Sequence, residues 1–209
     1  MLPSSFKPKS ADEFIGCARQ VASRLEALLA ASIGNGAPLK ILLLGRPGIG
    51  KSVLGDHLMR LLRCDRWHTT VLNGTQVKIE VVEELARGLH YKELFGTYRL
   101  LRIEEVDKVP VVAQVRLLTL LDDLPPYSAV LCTSNCKLED LEDRFQSRFV
   151  TFQVAPPAPS EIESLLRRLG PELPPATIKQ IATFACGNVR QALLDADAAL
   201  SGPAQLLAV

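Results

Sequence analysis

A parallel α/β sheet of five strands, sandwiched by helices and followed by a small all-helical domain, is the fold class that this 209-residue chain predicts. Three observations predict it. Short apolar runs alternate with stretches of helical periodicity through most of the chain, and a glycine-rich loop lies between the first such run and a helix. The stretch "APPAPS" at 155–160 then separates this alternating part from three short amphipathic segments. The predicted division is 1–155 for the α/β domain and 156–209 for the helical one.

The strand candidates, in order, are "PLKILLLG" (38–45), "TTVLNG" (69–74), "YRLLRI" (98–103), "AVLCTSN" (129–135) and "FVTFQV" (149–154). Several are continuously apolar rather than alternating, as strands covered on both faces of a parallel sheet are. The later helical segments are 160–169, 176–185 and 188–200. Ser160 and Glu163, directly after Pro159, form a capping-box pair that predicts the first of these helix starts. The chain has no internal repeat or low-complexity tract.

Composition narrows the class without choosing a partner. With 47% hydrophobic residues the chain is globular, and 24 basic against 23 acidic residues give a formal net charge of +1. That balance supplies no global attraction to nucleic acid or to an anionic membrane, although a local patch remains open. The five cysteines, Cys17, Cys64, Cys132, Cys136 and Cys186, are odd in number and scattered, with no metal-ligand spacing. Reduced thiols follow. The N-terminus lacks an apolar core of signal-peptide length, and no apolar run approaches the roughly 20 residues of a membrane span. A cytoplasmic protein with no membrane partner is expected.

"GRPGIGKS", Gly45 to Ser52, is a full G-x-x-x-x-G-K-[ST] loop placed after one strand and before the helix of "SVLGDHLMRLL". Its glycines allow a tight turn whose backbone N–H groups surround phosphate oxygens, and the helix N-terminus behind it adds positive potential. Lys51 is expected to reach the β and γ phosphates, and Ser52 to offer a hydroxyl to magnesium. The binding set for ATP or ADP is Gly45, Pro47, Gly48, Ile49, Gly50, Lys51, Ser52 and Val53. The loop points to nucleotide binding, not by itself to hydrolysis.

Hydrolysis needs acids beside the phosphates, and "YRLLRIEEVD" (98–107) runs a buried strand into them. The C-terminal ends of parallel strands open onto the ligand crevice. Glu104 is therefore expected to face the magnesium together with Ser52, and Glu105 the attacking water.

Taken together these stretches resemble the AAA+ ATPases, specifically the branch of clamp-loader subunits and Holliday-junction branch-migration motors. "FKPKSADEFIG" (6–16) is similar to the family's opening segment, which the resemblance lays against the adenine through Phe14 and Ile15. "VLNGTQV" resembles the strand and turn before its second helix, "EEVDKVPVVAQVRLLTLLDDL" its acidic box and following helix, and "VLCTSN" its sensor-1 strand, ending in Asn135. In "LEDRFQSRF" the Ser147–Arg148 pair matches the arginine-finger position of clamp loaders, with Arg144 as a competing candidate. "GNVRQAL" (187–193) matches the sensor-2 pattern and brings Arg190 from the helical domain, which the resemblance makes a lid. The resemblance implies ATP hydrolysis with magnesium, Asn135 and Arg190 near the γ-phosphate, and Arg148 acting on a neighbouring subunit's nucleotide.

Two residues depart from the pattern. The family usually carries aspartate where Glu104 stands, and the extra methylene moves the carboxylate by about 1.5 Å, one C–C bond. Slowed turnover rather than none is expected, since Lys51, Ser52, Glu105, Asn135, Arg148 and Arg190 are all retained. Arg102 is a charge in mid-strand and needs a partner or an exit. Either it snorkels to Glu80, Glu83 or Glu84 on the second helix, the favoured account, or it pairs with Glu104 on its own strand face.

The macromolecule acted on is less marked. Lys78, Arg87, Lys92 and Arg99 offer a basic stretch where such assemblies line a channel, but Glu80, Glu83, Glu84 and Glu93 interleave with it. The sequence ends just after the lid, without a collar or winged-helix domain, so self-association or other AAA+ subunits, an adaptor, or a missing remainder of the chain is expected. DNA or a DNA-processing protein is a candidate partner. The competing function classes are a nucleotide-gated assembly module that hydrolyses little, and a protein-remodelling ATPase with no DNA role.

Overall fold

Residues 6–32, 35–89, 98–136 and 143–201 are described by the structure, a computed structural model. Five strands form one sheet: β1 (Leu39–Leu44), β2 (Thr69–Asn73), β3 (Arg99–Glu104), β4 (Ser128–Ser134) and β5 (Val150–Gln153). Their order is β2-β3-β4-β1-β5 and every pairing is parallel. Parallel neighbours need crossovers, and helices supply them: α1 (Gly16–Ser32) precedes β1, α2 (Lys51–Leu61) follows it, α3 (Ile79–Leu89) links β2 to β3, and α4 (Val111–Asp122) links β3 to β4. A short α5 (Asp143–Gln146) leads into β5.

Strand alternation decides which helix covers which face. Leu39, Ile41 and Leu43 of β1 and Leu100 of β3 pack with α1 and α2 residues such as Leu25, Leu54 and Leu58. Leu42, Leu44, Leu101 and Ile103 point the other way, onto Val82 of α3 and Leu117 and Leu121 of α4. The predicted buried strands are buried because each face has its own helical layer. β2 and β5 are the exceptions: at the two sheet edges, Thr70, Val71, Val150 and Gln153 are exposed.

After β5, α6 (Pro159–Leu169), α7 (Pro175–Phe184) and α8 (Val189–Ser201) pack on one another around Ile162, Leu166, Ile178, Ile181 and Leu193. The capping expected of Ser160 and Glu163 falls elsewhere. The helix starts one residue earlier with Pro159 at its first position, Ala158 N–H donates to Glu161 Oε2 at 2.8 Å, and Glu163 instead pairs with Arg167. Proline already fits a helix's first turn, so the frame moves to Ala158 and the reciprocal acid becomes Glu161.

Among the described residues no helix is long and apolar enough to cross a membrane. All five cysteines are free thiols, as expected.

Candidate nucleotide site

The C-terminal ends of β1, β3 and β4 meet the start of α2 and the start of α8 around a cleft of about 350 Å³. Gly45–Gly50 wrap its floor. Gly48 has φ +79, and a Cβ there would lie 2.0 Å from Asn188 Oδ1, so only glycine lets the loop meet the helical domain this closely. The Gly48 carbonyl accepts from the Arg190 N–H at 3.0 Å, which joins the loop to the start of α8 through backbone.

Lys51 opens α2 and is buried. Its ammonium donates to the carbonyls of Gly45 (2.5 Å) and Arg46 (2.9 Å) and to Asn135 Oδ1 (2.8 Å). Burial lowers its pKa from the ordinary lysine value and the Arg190 charge lowers it further, against the raising effect of Asp107, Glu105 and Glu104. Two cations thus face one cleft, and an entering phosphate would relieve their repulsion. Arg190 itself is exposed, and its side chain makes no hydrogen bond or ion pair among the described residues.

Glu105 sits at the top of β3 with φ +56, a backbone conformation uncommon for a side-chain-bearing residue. Its N–H donates to Thr133 Oγ1, and its carboxylate accepts from Lys108 Nζ (2.7 Å), Asn73 Nδ2 (3.2 Å) and Asn135 Nδ2 (3.2 Å). The Lys108 bond first, and the Asn73 bond next, hold its pKa below the usual carboxylate range. Glu105 is therefore ionised at neutral pH. Asp107 braces the same corner by accepting from Ser134 Oγ and the Asn135 N–H.

Glu104 lies on the α2 face of β3, and its Oε1 accepts from Arg102 Nη2 at 2.5 Å. The expected partners of Arg102 on α3 are corrected by this geometry. Residues 100, 102 and 104 face α2, whereas Glu80, Glu83 and Glu84 belong to the helix on the opposite side; Arg102 pairs with Glu104 and with Asp56 of α2.

Of the expected binding residues, Pro47, Gly48, Gly50, Lys51, Ser52 and Val53 line the cleft. Ile49 is buried in the sheet core, and Gly45 contributes its carbonyl to Lys51. Phe14 and Ile15 are not in the cleft wall. Phe14 is 4% exposed and packs edge-on against His57, and Ile15 packs on the helical domain's core. The opening segment does reach the cleft, but through Phe6, which joins Val189 and Leu193 in an apolar wall. Asn73 and Thr133 also line the site and were missed. Their only sequence signal is position at a strand end, with Asn73 in register beside Glu104.

Arg148 lies away from this cleft, with both Nε and Nη2 on the Asp122 carboxylate at 2.7 Å and Nη1 on the Arg144 carbonyl. Lys78 and Arg87 are exposed, Arg99 Nη1 bonds the Gly88 carbonyl, and Lys92 and Glu93 lie outside the described residues.

A family model described as the AAA domain of the dynein-related subfamily matches residues 40–128, from β1 to the start of β4. Among solved structures, the RuvB Holliday junction branch migration motor of Thermotoga maritima aligns with a TM-score of 0.73 at 24% identity, over 91% of this chain and 64% of that one. Two variants of Thermotoga maritima RuvB align with TM-scores of 0.74 and 0.75 at 24% and 22% identity, covering 91% and 92% of this chain and 64% and 65% of theirs. This chain thus spans under two thirds of the length of those structures. A search of curated protein sequences found no match. Phosphate loop, strand order and the match over residues 40–128 agree, and the chain has a P-loop fold like that of these RuvB structures.

Proposed function

We propose that the chain binds ATP in this cleft and hydrolyses it, as one subunit of a clamp-loader- or branch-migration-like assembly acting in DNA replication, recombination or mobile-element maintenance. The observation that carries the reading is the meeting of Lys51, Arg190, Asn135 and Glu105 in one cleft, two cations for phosphate and an ionised acid for water. Phosphate oxygens would replace the carbonyls now held by Lys51, and the loop N–H groups and the start of α2 would meet the rest. Phe6, Val189 and Leu193 would cover the base. Glu105, held by Asn73 and Asn135, would orient or deprotonate the attacking water. Residues 156–209 would act as a lid over the AAA+ domain of 1–155, because α8 supplies both the backbone contact to Gly48 and the Arg190 cation.

Magnesium would add positive charge on the phosphate oxygens. Ser52 and Glu104 both line the cleft; Ser52 fits that role through its hydroxyl, whereas Arg102 already engages Glu104 Oε1 and sets a positive charge beside the acid, which disfavours it as a direct ligand. That pairing favours the second reading, a nucleotide-gated assembly module with slow turnover. The mixed charge of α3, where Glu83 lies 3.9 Å from Arg116, keeps a protein substrate in play beside DNA. The free thiols fit a cytoplasmic setting.

Lys51→Ala tests the site. It removes a buried cation facing the phosphates, and ATP affinity should fall by about a hundredfold, the order seen when one member of a desolvated charge pair is truncated. Unchanged affinity in a calorimetric titration would place the nucleotide elsewhere.

A further inference from the structure

Arg102 is 7% exposed in the middle of β3; both of its Nη atoms have acceptors, while its buried Nε has none. Nη1 donates to Asp56 Oδ1 at 2.6 Å, and Nη2 to the Ser52 carbonyl at 3.1 Å and to Glu104 Oε1 at 2.5 Å. The space it fills is made by Gly55, where a Cβ would lie 3.0 Å from Arg102 Cζ and 3.0 Å from Leu131 Cδ2. A glycine inside a helix is unfavourable, so α2 gives up helix propensity at the point where the guanidinium passes. Strand charge, helix glycine and neighbouring Asp56 form one built arrangement. It ties the acid of β3 to the first turn of the phosphate-loop helix.

We propose that Arg102 is a positioning residue that holds Glu104 away from the metal and supplies that acid's counter-charge from within the chain, so that nucleotide binding here is nearly independent of magnesium. The inference rests on reading the cleft as a nucleotide site. ATP brings several negative charges to a wall that contains Glu104. An uncompensated acid there would repel them until a divalent cation bridged the two. Here a buried guanidinium already bridges Glu104 to α2, and charge-assisted bonds of this length hold the carboxylate strongly. A magnesium ion seeking that oxygen would have to displace Arg102 and meet octahedral geometry beside a fixed positive charge. Asp56 shares the guanidinium, but its side chain is 55% exposed and water screens it.

The test uses the full chain and a fluorescent ATP analogue, titrated with excess magnesium or with EDTA. Parent affinity should differ by less than about threefold between the two, whereas Arg102→Met, which frees Glu104, should bind about tenfold more weakly in EDTA than in magnesium. The double variant Arg102→Met/Glu104→Gln should return the ratio to about the parent's, a rescue that a merely structural lesion would not show. A parent that is itself tenfold or more magnesium-dependent, or a ratio left unchanged by Arg102→Met, overturns the inference. Glu104→Gln alone keeps Arg102 in the fold and guards against a misfolded Met variant. Manganese affinity of its nucleotide complex, read by electron paramagnetic resonance, should match the parent's; a loss of about tenfold makes Glu104 a metal ligand and overturns the inference. If the parent bound no analogue under either condition, the nucleotide reading itself would fall. Binding with the wrong ratio sinks only the role of Arg102.

Discussion

Glu105 combines an uncommon backbone with an over-determined carboxylate, and that combination is what a positioned base requires. Its φ of +56 turns the side chain out of the strand line into the cleft, and Lys108, Asn73 and Asn135 fix it there. Glu105→Gln keeps the shape and an acceptor for the asparagines but removes the charge. ATP binding should stay within a few-fold of the parent and turnover should fall by about a hundredfold or more, the usual worth of a general base. Single-turnover assays check it; a parent-like rate would move the role to Asp107 or Glu104. Lys51, Ser52 and Glu105 could be read in the sequence because a phosphate loop is contiguous and an acidic strand end is local. Asn73 and the Asp56 partner of Arg102 could not, although its pairing with Glu104 was one of the two accounts the sequence offered. The first depends on the register of β2 against β3, and the second on which helix covers which face.

The opening segment shows the same limit one scale up. Its place beside the cleft was legible, but Phe6 is the residue that lines the cleft wall, while Phe14 is buried edge-on against His57. His57 also fixes this segment to α1 and α2. Its Nε2 lies 3.0 Å from Glu26 Oε1, which also accepts the Ala11 N–H, while Arg60 faces its Nδ1 at 3.4 Å and bonds the Pro8 carbonyl. Burial lowers the His57 pKa below its ordinary value of 6.5; the Glu26 hydrogen bond and charge oppose this, and Arg60 adds to it. With a depressed folded pKa, the unfolded chain binds the proton more readily, so stability is full above about 6.5 and falls as pH drops toward the folded value. His57→Gln keeps hydrogen-bonding capacity without titrating. The urea midpoint of the parent should drop between pH of about 7 and 5 by more than that of the variant. Equal drops in both would assign the acid sensitivity to other groups.

At the scale of the whole molecule, we propose that Arg148 acts on a neighbouring subunit, so that a lone chain turns over little. β1 and β5 run parallel with Ile41 beside Val150 and Leu44 beside Gln153, so Arg148, before β5, lies at the end of the sheet opposite the phosphate loop. At a strand rise of about 3.3 Å per residue, the separation along the sheet is about 20 Å, beyond the reach of an arginine. A second chain placed head to tail would bring that edge to a neighbour's nucleotide, a heterologous contact of the kind that builds arcs and rings. Asp122 holds the guanidinium at the surface, where screening leaves an ion pair little weight in stability, so Arg148→Ala should fold and bind ATP as the parent does. Specific activity should rise with protein concentration in the parent and stay near its low-concentration value in Arg148→Ala. The deciding measurement mixes Arg148→Ala with Lys51→Ala. One chain keeps a sound cleft and the other a sound finger, so turnover absent from either alone should return in the mixture, at up to about half the parent rate if every mixed contact is productive. An active enzyme that sediments strictly as a monomer would remove Arg148 from the mechanism.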